Sequence, residues 1–300
     1  MNFGQVPEAE LSNIDYILPN DNILNNTVLS GVRPNQLQIN IGATQWGAKQ
    51  WVGKVYPPKT RDHLPEYVKN FNSVELNTTF YSSPPVETIL SWKSQAEGNP
   101  EFRFCPKFPQ SITHIRRLRN ADVQTEEFYS KMSLFDNQLG PMYLQLSDNF
   151  SPKSFPHLEA YLTTLPKDNL VFVELRHKEW FANPQIVNLT FNTFKSLNIG
   201  WVISDTPGRR DCVHMALPTP NTFIRFMGSG DARDFKRLDD WVDRITKWHA
   251  LGLKTLNFFV HKNDLRSVPE AVDYMIMKLN EVLGYKLQRP HFIQSKNLFS

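Results

Sequence analysis

Ser73-Val74-Glu75-Leu76-Asn77, followed after Pro84-Pro85 by the helix-patterned segment Val86–Ala96, is the unit that decides this chain's fold. The first part is a short β-rich run that ends in polar groups, and the second has apolar residues at helical spacing. The same alternation recurs along the chain. Further strand candidates are Gln38–Gly42, Phe102–Lys107, Met142–Leu146, Leu170–Leu175, Gly200–Ser204, Phe223–Phe226 and Thr255–Val260. Amphipathic stretches at Glu126–Gln138, Phe155–Leu165, Gln185–Leu197, Asp234–Ala250 and Pro269–Leu283 lie between or after them, and Leu238, Trp241, Val242, Ile245 and Trp248 form the clearest apolar stripe. About eight strand–helix repeats predict an α/β fold, a single-domain (β/α)8 TIM barrel. No GxGxxG follows the first strand, which disfavours an open dinucleotide-binding sheet. The expected organisation is an N-terminal extension over 1–36, the barrel over 37–284 and a tail over 285–300.

Composition narrows the function classes. The 300 residues include 21 Phe, 7 Trp and 9 Tyr, so much of the packing is aromatic. A formal charge of +3 implies no acidic partner by itself, and the basic run Arg116, Arg117 and Arg119 near His114 reads as a solvated loop before it reads as a phosphate-contacting patch. Cys105 and Cys212 lie far apart, with no CxxC and no Cys/His cluster, and no HExxH spacing occurs. No metal and no cofactor is therefore expected. The N-terminus does not read as a signal peptide and no run reaches the ~18 apolar residues that cross a bilayer, so cytoplasm is the expected location, with no membrane partner.

Several ordered motifs run along the chain. They begin at Ile41-Gly42-Ala43-Thr44, with Trp46, Trp51, Gly53 and Val55-Tyr56-Pro57 following. The most specific is Phe71-Asn72-Ser73-Val74-Glu75-Leu76-Asn77-Thr78-Thr79-Phe80-Tyr81. Phe102-Arg103-Phe104-Cys105-Pro106-Lys107, Ile112-Thr113-His114, Leu139-Gly140-Pro141, Leu144-Gln145-Leu146 and Glu174-Leu175-Arg176-His177 with Trp180 continue the series. Together these motifs resemble the YecE-like family (domain of unknown function 72), and the resemblance implies a TIM barrel and no particular reaction. Two places depart from the pattern. The family tends to have Arg, an apolar residue, then His-Gly after the seventh strand, where this chain has Arg225-Phe226-Met227-Gly228. It also tends to have an aromatic followed by Phe-Asn-Asn-Asp near the eighth, where this chain has Phe259-Val260-His261-Lys262-Asn263-Asp264.

Residues two apart in a strand share a face, and barrel strands converge at their C-terminal ends, where sites are built. Glu75 with Asn77, and Glu174 with Arg176, are such pairs, while Lys107, Gln145, Asp205, Arg225 and His261 stand at or just beyond strand ends. So many ionisable groups in one place point to a ligand. Glu75 or Glu174 is the expected general base and His114 the expected proton donor. Lys107, Arg176 and Arg225 are the expected anion holders, with Asn77, Gln145, His177, Asp205, His261, Trp46 and Tyr81 completing the binding set. Gly228-Ser229-Gly230 stands where barrels often bind phosphate.

The expected partner is a polar, anionic small molecule such as a sugar phosphate, and hydrolase or lyase chemistry is the leading expectation. A nucleic-acid-binding or nucleic-acid-processing barrel and a catalytically silent ligand sensor are the alternatives.

Overall fold

The computed structural model describes residues 3–230, 232–262 and 264–293. Its strands are β1 (Gln38–Ala43), β2 (Ser73–Leu76), β3 (Arg103–Pro106), β4 (Met142–Gln145), β5 (Val171–Glu174), β6 (Ile199–Trp201), β7 (Ile203–Asp205), β8 (Asn221–Gly228) and β9 (Thr255–Lys262). The helices are α1 (Leu64–Asn70), α2 (Thr78–Tyr81), α3 (Val86–Ala96), α4 (Asp122–Met132), α5 (Phe155–Thr164), α6 (Glu179–Ala182), α7 (Pro184–Leu197), α8 (Arg233–Leu251) and α9 (Val268–Leu283). Every pairing between these strands is parallel.

One expectation changes in the assignment of strands. The sixth run, expected as one strand, divides at Val202, and the strands form a six-stranded sheet ordered β3-β2-β1-β9-β8-β7 and a three-stranded sheet ordered β4-β5-β6. The cause is a change of partner within one extended segment. Val202 N–H still donates to Val173 of β5 at 2.9 Å, whereas Ile203 onward pairs with β8. On the other side the sheets meet through bridges between Phe104 and Leu139 and between Lys107 and Tyr143. Gly140 permits that approach: a Cβ there would lie 2.7 Å from Cys105 Sγ and 3.0 Å from Phe104 O.

Two cores result. The helices bury their stripes on the outer faces of the sheets, and all five stripe residues of α8 are at most 2% exposed. The faces turned toward each other hold a smaller cluster of Cys105, Tyr143, Phe172, Val202, Phe223 and Phe259. Phe223 joins the sheets, with ring centroids 5.1 Å from Tyr143, 5.4 Å from Phe172 and 5.0 Å from Phe259.

Candidate functional site

The strand period places the site. Two residues beyond Cys105, Tyr143, Phe172, Val202, Phe223 and Phe259 stand Lys107, Gln145, Glu174, Ser204, Arg225 and His261, and Glu75 follows Ser73 in the same way. A polar layer thus rests on an aromatic floor, because alternate side chains share a face.

Arg225 is the hub of this layer. Its Nε and Nη2 donate to Glu75 Oε2 and Oε1 at 2.9 Å each, and its Nη1 donates to Glu174 Oε2 at 2.6 Å. Glu75 Oε1 also accepts from Asn77 Nδ2 at 2.8 Å and lies 2.8 Å from the Tyr143 hydroxyl. Glu174 Oε1 accepts from Arg176 Nε at 2.8 Å and Ser204 Oγ at 3.2 Å. Burial opposes both charges but is outweighed: Arg225 and His261 hold Glu75 well below the usual carboxylate range, and Arg176 and Arg225 bring Glu174 down to about 2. Burial and Glu75 push the Tyr143 phenol well above its ordinary value, so it keeps its proton. Both carboxylates are ionised, at most 1% exposed and hydrogen-bonded through each oxygen. This arrangement runs against either glutamate as a general base, since both charges are already committed to arginine ion pairs.

A cavity of about 280 Å³ opens above this layer, lined among others by Asn77, Tyr81, Lys107, Gln145, Arg176, Arg225, Met227 and His261. Gln145 Oε1 accepts from Lys107 Nζ and from Arg176 Nη2 at 2.8 Å each, which fixes the amide's orientation. Its Nε2 is then a buried donor with no partner among the described residues. Lys107 is 5% exposed, its ammonium 4.1 Å above the Phe80 ring. Burial, then Arg225, draws it down to about 7. His261 Nε2 lies 2.9 Å from Glu75 Oε2. Burial outweighs the attraction of Glu75 and lowers the imidazole below its ordinary value, so the ring is neutral, donates from Nε2 and leaves Nδ1 as its basic nitrogen.

Other expected site residues lie elsewhere. Asp205 follows Ser204, so it faces the helices, where it accepts from Trp241 Nε1 at 2.8 Å and Arg237 Nη2 at 2.9 Å and pairs with Arg210. His114 stands outside the cavity lining, its Nδ1 2.8 Å from Thr113 Oγ1 and its ring edge-on to Phe80. Burial and Lys107 lower its pKa, which disfavours the proton-donor role. His177 lies at the start of α6, its Nδ1 accepting from Glu179 N at 3.3 Å. Trp46 packs edge-on against Trp92 and Phe104. The Gly228-Ser229-Gly230 loop already holds an anion of the chain's own: Asp234 accepts from Ser229 N at 2.9 Å and Gly230 N at 3.1 Å. Of the basic run, Arg116 donates to Asn120 O, Arg117 to Asn149 Oδ1, and Arg119 contacts His157.

Sequence reading missed the N-terminal segment. Phe3, Gly4, Gln5, Val6 and Leu11 line the same cavity. The Phe3 ring lies 4.0 Å from the Arg176 guanidinium and 5.2 Å from that of Arg209. Gly4 O accepts from Gly208 N at 2.8 Å and from Thr206 Oγ1 at 3.0 Å. No periodic pattern marks this segment, because it binds through single contacts. Tyr143, by contrast, is legible as the same-face neighbour of Gln145.

Among the described residues, no three or more His, Cys, Asp or Glu side chains are grouped to hold a metal ion, and no helix is long and apolar enough to cross a membrane.

A family model described as "Protein of unknown function DUF72" matches residues 40–292. The chain is 31% identical over 280 residues to "UPF0759 protein YecE" of Escherichia coli, in strain K12 and in O157:H7, a match that covers 87% of this chain and 100% of each relative. It is 29% identical over 208 residues to "UPF0759 protein YunF" of Bacillus subtilis (strain 168), covering 63% of this chain and 70% of that one. A crystal structure of a DUF72 family protein from Enterococcus faecalis V583 shares the fold, with a TM-score of 0.64 at 18% identity over 86% of this chain and 100% of that one. The motifs, the fold and these relatives agree, and the chain belongs to the DUF72 family.

Proposed function

We propose that the two sheets act as one eight-stranded (β/α)8 barrel, and that the cavity at its strand ends is the active site of an enzyme acting on a small polar anion. The observation that carries this reading is Gln145. Its Nε2 is a buried donor with no acceptor among the described residues, in a wall that also holds Lys107, Arg176 and Arg225. A buried unpaired donor costs ~1–3 kcal/mol, and a ligand carboxylate or phosphate oxygen would remove that cost. The cavity lies at the lower end of the ~300–1,000 Å³ typical of ligand sites, which suits a metabolite of a few carbons.

The reaction type follows from His261. Glu75 fixes its tautomer as an orienting carboxylate does in a catalytic triad, so Nδ1 is the group placed to take a proton. Glu75 is then a positioning residue, and the favoured chemistry is lyase-like or isomerase-like proton transfer.

The test is thermal stabilisation of the full chain by pyruvate, citrate and inorganic phosphate, compared with Arg176→Lys. The wild type should gain melting temperature with at least one anion, since a ligand of the native state adds stability. The variant should lose that gain, because an ammonium does not replace a planar guanidinium. No stabilisation by any of the three, or equal stabilisation of both proteins, counts against the reading.

A further inference from the structure

Lys107 differs from the other lysine of the cavity. Lys262 also lines it, but is neutralised by Asp234 at 3.1 Å. Lys107 makes no ion pair among the described residues: its side-chain acceptor is the neutral Gln145 Oε1, shared at 2.8 Å with Arg176. Two cationic nitrogens are therefore held close together on one carbonyl oxygen, with the Phe80 ring beneath the lysine. The carboxylates that would neutralise Lys107, Glu75 and Glu174, are turned to Arg225 and Arg176. The charged groups that act on Lys107 are Arg225, Glu174, Glu75 and Arg176, and His114 in turn feels the charge of Lys107. Desolvation beside other cations is the environment that makes a lysine amine nucleophilic.

We propose that Lys107 forms an imine with its substrate, and that the cavity therefore takes a small aldehyde or ketone bearing a carboxylate or phosphate. This rests on the reading of the cavity as an anion site. The neutral amine adds to the carbonyl carbon, forming the C–N bond while the C=O π pair moves to oxygen. The nitrogen loses one proton, the oxygen is protonated twice and leaves as water, and the nitrogen lone pair closes the C=N bond. Amine, carbonyl and one proton give iminium and water. The iminium brings a positive charge into a wall already holding Arg176 and Arg225, and the substrate's anionic group balances it. That charge balance is the reason for an anionic carbonyl compound rather than a neutral one.

The experiment incubates the full chain with pyruvate and sodium cyanoborohydride near neutral pH, followed by intact-mass and peptide analysis. The expected result is one N-(1-carboxyethyl) group on Lys107, ahead of any other lysine, and no trapped group at this position in Lys107→Arg. The thermal shift with pyruvate alone is read on the same protein. Stabilisation without a trapped group on Lys107 overturns the imine and leaves the anion site standing. No trapped group together with no stabilisation by pyruvate, citrate or phosphate overturns both. Labelling spread over exposed lysines with Lys107 unmodified also overturns the imine, and needs no variant to fold.

Discussion

Glu75 takes Arg225 with both carboxylate oxygens, Nε on Oε2 and Nη2 on Oε1, each at 2.9 Å and each partner at most 4% exposed. This buried fork organises the polar layer, since Arg225 carries Glu174 on its remaining nitrogen. Breaking a buried pair strands the other charge, at a cost of ~3–5 kcal/mol. Glu75→Ala and Arg225→Met should each lose about that much stability in urea denaturation, and the double variant should lose less than the two together. Additive losses would mean that the fork is weaker than its geometry.

Glu174 gives the acid limb of stability. Its folded pKa is lowered to about 2, so its contribution is fully present above the ordinary carboxylate value of 4.5 and is lost as pH falls toward 2. Denaturation midpoints should fall steeply between these values. Glu174→Gln should be less stable at pH 7 and flatter below pH 4.5. A parallel decline of both proteins would count against the assignment.

Lys107 has the opposite sign. Below about pH 7 the native state holds a buried ammonium, and its cost is fully present. Between about 7 and the ordinary 10.5 the folded chain binds fewer protons than the unfolded one, so this contribution to stability rises with pH. Lys107→Met should therefore be more stable than wild type at pH 6, by on the order of 1–3 kcal/mol, with the gain shrinking toward pH 10. Chemical denaturation across that range measures it, and a gain that grows with pH would contradict it.

The N-terminal segment has a local test. Gly4 has φ +69°, and a Cβ there would lie 2.1 Å from Thr206 Oγ1. Gly4→Ala should weaken docking of the segment by ~1–3 kcal/mol and speed proteolysis ahead of Leu11, without lowering the melting temperature of the remaining fold. Unchanged cleavage would show that the segment tolerates the methyl group.

Much of this site was legible because strands obey a period of two. Lys107, Gln145, Arg225 and His261 follow from strand ends, and their aromatic floor lies two residues earlier. Asp205 shows the limit of that reading: a one-residue offset from Ser204 turns it to the helix layer. Phe3 was not legible, since a side chain that arrives from an irregular segment leaves no periodic trace. Roles were harder still. Glu75 and Glu174 look like bases in a string of letters, and only distances show them committed to Arg225 and Arg176. Met227 and His261, the two departures from the family pattern, are register partners on β8 and β9 and line the same cavity. Pairing across strands of distant sequence number is what single-sequence reading lacks.

A neutral His261 oriented by Glu75 is read out by ¹⁵N NMR of the imidazole. At pH 7 the ring should be neutral with the proton on Nε2, should titrate below the ordinary 6.5, and should change its Nδ1 signal when pyruvate is added. An imidazolium at pH 7, or a ring protonated on Nδ1 alone, would contradict it.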